Sequence, residues 1–203
     1  MGSSTIIDIL GAIMIGGILM LNTSRLFNNT TENSWQYASE AIVQTNLIEI
    51  TTLIEHDFRR IGYQRGAENL SHAVTAIEFA GRNRIVFFAD MDDNGSLERV
   101  EYRVGPADSL RQTASPIDLP FFRRINGAGQ VVTTYGVVEF TLEYFNYTGG
   151  QLATPVTNRG QISTISITVA CESPDFSDDR YAQYNAKAFY KQMRLAIPNL
   201  RYK

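Results

Sequence analysis

The chain has 203 residues, 44% of them hydrophobic, with 18 Lys and Arg against 21 Asp and Glu. Once an apolar N-terminal segment is set aside, roughly 140 to 180 residues remain, enough for one substantial domain and too few for two. A net charge of -3 gives no electrostatic footprint for nucleic acid as the main partner, and the lone Cys171 excludes both an intramolecular disulfide framework and a thiolate metal cluster.

The most apolar run is SSTIIDILGAIMIGGILML, residues 3 to 21. Between Ile6 and Leu21 the only charged residue is Asp8, and the low-charge stretch extends through Leu26 and Phe27. It thus reaches the roughly 20 residues a helix needs to cross a bilayer. A cleaved secretory signal would carry Lys or Arg ahead of its apolar core, whereas the first basic residue here is Arg25. One arginine is too little asymmetry to set an orientation. A carboxylate in such a segment costs roughly 2.5 to 3.5 kcal/mol on insertion, so Asp8 calls for a partner. Gly11, Gly16 and Gly17 would let the helix approach another helix closely.

The next passage, NTSRLFNNTTENS, has weak helix propensity. It places a boundary between residues 1–33, a hydrophobic helix with a polar linker, and residues 34–203, a globular head; whether one helix runs through it is left open. From Trp35 to Ile61, the residues Trp35, Ala38, Ile42, Leu47, Ile50, Ile54, Phe58 and Ile61 recur at helical spacing, with Ser34 as N-cap and Gly62 as terminator. From Ala76 the period changes to two. Strands are expected at 76–80, 84–89, 99–104, 137–145, 163–171 and 186–195. In the longest, Val138, Phe140, Leu142 and Tyr144 face one way, and Glu139, Thr141 and Glu143 the other. The order predicts an α+β fold: a long N-terminal hydrophobic helix, then an antiparallel sheet packed on the C-terminal half of the helix.

These residues carry a resemblance. Ser4-Thr5-Ile6-Ile7-Asp8-Ile9 resembles the Phe-Thr-Leu-Ile-Glu-Leu start of type IV pilins and type II secretion pseudopilins, with Ser4 at the first mature position, Asp8 at the glutamate and Gly17 on a common glycine. LIEHDFRRIGYQ, IVFFADMDDNGSLERVEYRV and NAKAFYKQMRLAIPNL are similar to the helix end, the following hairpin and the closing strand of minor pilins and pseudopilins. The chain departs from the family at Ser3 and Ser4, where glycine and phenylalanine would flank a cleavage, and at Arg25, where proline is common. The resemblance implies a pilin-like fold and a subunit that waits in the inner membrane with its head outside the cytoplasm. It then joins copies of itself or other pilin-like subunits in an extracellular filament. It also implies that Asp8 meets the N-terminal amine of a neighbouring subunit, with Ser4, Gly11, Gly16 and Gly17 at the assembly contact. A salt bridge between subunits would fix axial register.

Asp90-Met91-Asp92-Asp93-Asn94-Gly95-Ser96-Leu97-Glu98, with Glu101 three residues on, has the oxygen spacing of a calcium loop. Asp90, Asp92, Asn94, the Ser96 carbonyl and a carboxylate are the candidate ligands. Because the flanks read as strands, an extended Glu101 is carried away, leaving Glu98 or water as the last ligand. The other reading is a hairpin connection in which Asp, Asn and Gly supply turn conformations.

No catalytic signature is present. In Glu55-His56-Asp57, on the amphipathic helix, His56 reads as an ordinary helix-face residue rather than a general base. Cys171, in the alternating ISITVACES, reads as a buried strand residue. Phe121, Phe122, Tyr135, Phe145, Tyr147, Tyr181 and Tyr184 form core or an interaction surface. Two functions are therefore expected: a filament subunit, or a stand-alone membrane-anchored binding module that uses the acidic loop.

Overall fold

A computed structural model describes residues 2–66, 76–106, 118–132, 136–172 and 188–200, the side chains of 2–4 and 129–132 apart. The expected features at Tyr135, Tyr181, Tyr184 and Ala186 lie outside the described residues. The chain forms two compact units, Met1–Ala41 and Ile42–Lys203.

One helix, α1, covers Gly2–Arg59, so Ser34 is not an N-cap. Its hydroxyl donates instead to the Thr30 carbonyl at 2.9 Å, and Thr23, Thr30 and Thr31 bond back in the same way to Leu19, Leu26 and Phe27. The four hydroxyls are thereby satisfied within the helix, a bond open to Ser and Thr in mid-helix.

In the second unit the buried stripe of α1 is Val43, Leu47, Ile50, Thr51, Ile54, Asp57 and Phe58. The expected stripe members Trp35 and Ile42 are 67% and 52% exposed, because the apolar face turns inward only from Val43. The helix ends at Arg59, three residues before Gly62.

Among the described residues nine antiparallel strands follow: β1 (Ile77–Ala80), β2 (Arg84–Ala89), β3 (Glu98–Val104), β4 (Phe121–Ile125), β5 (Ala128–Val132), β6 (Val137–Phe145), β7 (Gln151–Leu152), β8 (Thr164–Cys171) and β9 (Phe189–Ala196). They make two sheets rather than the single sheet expected, in the orders β1-β2-β3-β4-β5 and β7-β6-β8-β9. The α+β class holds. Strands β4, β5 and β7 lie outside the expected set. The sequence FFRRI hides its period because Arg123 occupies a core-facing position of β4 next to the buried Phe121.

The core joins both sheets to the helix. Phe58 packs edge-on against Phe87 and Tyr102, with centroids 5.6 and 5.5 Å away, and Phe121 of the first sheet meets Phe140 of the second at 5.1 Å. Burying each such side chain contributes about 1.5 to 3 kcal/mol. In β6, Phe140, Leu142 and Tyr144 face the core as expected, but a register shift between Val137 and Glu139 sends Val137 inward in place of Val138. Cys171 is free and buried, and burial pushes its thiol up to about 12.

Candidate functional site

The N-terminal segment is an uncovered apolar cylinder. Its large side chains between Ile6 and Leu21 are 56% to 77% exposed, and Asp8 is exposed among them. A Cβ added at Gly11, Gly16 or Gly17 would meet nothing within 4 Å, so each leaves room for a close neighbour. The Ser4 side chain lies outside the described residues. Among the described residues one helix is long and apolar enough to cross a membrane, a property that an N-terminal signal sequence shares. An apolar surface of this extent is stable only under lipid or protein cover.

The acidic segment joins β2 to β3. Asp90 is buried, and its carboxylate accepts the backbone N–H groups of Arg65 (3.0 Å), Asn94 (3.1 Å) and Gly95 (2.9 Å). Desolvation alone would raise its pKa, but these amides outweigh that effect and hold it below the ordinary aspartate value. Asp92 accepts from the backbone N–H and side-chain amide of Asn94, whose own oxygen takes the Ser96 N–H. Glu98 accepts from the Met91 N–H at 2.8 Å. Arg60 clamps the turn from the end of α1, donating to the carbonyls of Asp90 and Met91 and to both carboxylate oxygens of Asp93.

Carboxylate oxygens of Asp90, Asp92 and Glu98 lie within 4.8 Å of one another. Glu101 is carried away along β3 and receives Arg84 at 2.9 Å. The loop thus assembles three of the expected acids, while the amides on Asp90 support the turn reading. Melting in calcium and in chelator separates the alternatives. An unchanged midpoint is expected for a turn locked by amides and Arg60; a rise that Glu98→Gln abolishes would assign a cation there.

Asp90 also sets a pH dependence. Since its folded pKa lies below the unfolded value of about 3.9, its contribution is complete above that value and disappears as pH falls through the folded pKa. Asp90→Asn should lower the melting temperature at neutral pH and flatten the acid limb of the stability curve. Parallel curves for variant and wild type would remove Asp90 from this role.

A second polar cluster lies beside His56. The His56 side chain is 61% exposed, but that of Asp57 is fully buried. Asp57 accepts the Tyr102 hydroxyl at 2.5 Å and Arg123 Nε at 2.7 Å, and Arg123 Nε also lies 3.0 Å from the Tyr102 oxygen. Burial, then the charge of Asp57, holds the Tyr102 phenol well above its ordinary pKa. Burial disfavours the charged Arg123, but the bond and charge of Asp57 together with the neighbouring Tyr102 oxygen outweigh it and raise the pKa. The cluster pins the helix to the first sheet. Its sequence signal was an acid in phase with the apolar stripe, three residues after Ile54 and four before Ile61.

The chain shows no significant match to any protein-family profile, curated protein or solved structure.

Proposed function

We propose that the chain is a structural subunit of a type IV pilus-like or pseudopilus-like filament, held in the membrane by its N-terminal helix until it assembles with copies of itself or related subunits. The observation that carries this reading is the exposed apolar helix with one carboxylate, Asp8, embedded in it. Lipid would cover the apolar side chains but leaves a charge uncompensated, whereas a neighbouring chain can supply both apolar cover and a cation. The open flanks of Gly11, Gly16 and Gly17 support close helix packing. On this reading the head faces outward, and its work is packing and presentation.

Electron microscopy of surface filaments from cells carrying wild type or Asp8→Leu tests the assignment, with the membrane-fraction level of the protein measured alongside. Filaments containing the protein are expected in wild type and absent in the variant at an unchanged membrane level. If no filament contains the protein, or the variant assembles normally, the membrane-anchored binding module replaces this reading.

A further inference from the structure

The outer face of the first sheet carries an arrangement that folding alone does not favour. Arg84 of β2 and Arg103 of β3 are direct cross-strand partners, and like charges so placed repel. Arg82, in the β1–β2 connection, adds a third guanidinium. All three line an open groove of about 630 Å³, together with Phe79, Asn83, Glu101, Thr154 and Pro155.

One carboxylate cannot neutralise the three. Glu101 takes Arg84 Nε at 2.9 Å, lies 3.8 Å from Arg99 Nη1 and only reaches 4.0 Å from Arg103 Nε. Arg82 is exposed and has no ion pair among the described residues. Two of the guanidinia are braced by rings, Arg103 over Phe122 at 4.1 Å and Arg84 over Phe79 at 5.2 Å. Such stacking holds the planar fork in place and leaves its remaining N–H groups free to donate.

The groove thus has three guanidinia against one carboxylate, a formal charge of +2, in a chain whose net charge is -3. We propose that it binds a phosphate-bearing ligand, with Arg82, Arg84 and Arg103 as the donors to the phosphate oxygens and Asn83 and Thr154 as neutral donors beside them. A phosphate group carries about -1.5 to -2 at neutral pH and matches that excess, which a single carboxylate would leave half compensated. Guanidinium forks also fit phosphate oxygens in pairs. The same chemistry belongs to a free organic phosphate and to a phosphate polymer. The proposal is independent of filament assembly.

Isothermal titration of the full chain in non-ionic detergent tests it, with pyrophosphate as the free-ligand probe and long-chain polyphosphate as the polymer probe. Saturable binding is expected for pyrophosphate, weakening with added salt and falling about tenfold in Arg82→Gln and again in Arg103→Gln, the loss of a charge-assisted bond in each. Glu101→Gln should tighten binding, because it removes the competing carboxylate. Binding of polyphosphate alone, with the same dependence on Arg82 and Arg103, would assign the polymer as the source. Lack of saturable binding to either probe, unchanged binding in the double arginine variant, or unchanged or weaker binding in Glu101→Gln overturns the proposal. Melting curves of each variant separate lost binding from lost folding.

Discussion

Asp57→Ala is expected to destabilise the head by about 3 to 5 kcal/mol, the usual result of breaking a buried ion pair from one side. The side chain is fully buried, and its removal strands the Arg123 guanidinium, only 17% exposed, beside a Tyr102 hydroxyl that has lost its acceptor. Tyr102→Phe should cost less, about 1 to 2 kcal/mol, because Arg123 still compensates the carboxylate. The pair itself need not be worth much: its desolvation offsets most of its attraction, so Asp57→Leu combined with Arg123→Leu should recover a large part of the loss. Urea unfolding of the full chain in non-ionic detergent measures all three variants. A single-variant cost below about 1 kcal/mol would place Asp57 with exposed ion pairs and remove its role as a pin.

Gly136→Ala is the second large effect. Gly136 lies just before β6 with φ at 60°, and an added Cβ would sit 2.4 Å from the Glu172 carbonyl oxygen and 3.5 Å from its carbon. That backbone cannot withdraw cheaply, because the Glu172 N–H donates to the Gly136 carbonyl at 2.8 Å immediately after β8. The left-handed conformation costs an alanine about 1 to 2 kcal/mol. The overlap should bring the total to about 2 to 4 kcal/mol, within the range of strained or overpacked sites. Gly149→Ala supplies the control, since Gly149 has φ at 85° but nothing within 4 Å of an added Cβ. Equal melting-temperature losses in the two variants would show that the clash at Gly136 relaxes at no cost.

The acidic segment shows how far spacing can be read. Its alternation of Asp and Asn with a glycine was legible because turns and cation loops draw on the same side-chain oxygens. The departure of Glu101 was legible too, because its flank reads as a strand; the donors were not, since Arg60 and the Arg65 amide reach the turn from the end of α1 and the segment after it. No local pattern encodes those two contacts.

By itself the sequence determined the α+β class, the apolar N-terminal helix with Asp8, and six strands to within a few residues, since each follows from a period or a run within a short window. The tertiary structure decided the rest. It divided the strands between two sheets and turned Arg123 inward to meet Asp57. It also set Arg84 opposite Arg103 across a strand pair. The physical reason is the range of the interactions. Hydrophobic periodicity is written in neighbouring residues, whereas a buried charge or a like-charge pair is set by partners that only the folded chain brings together.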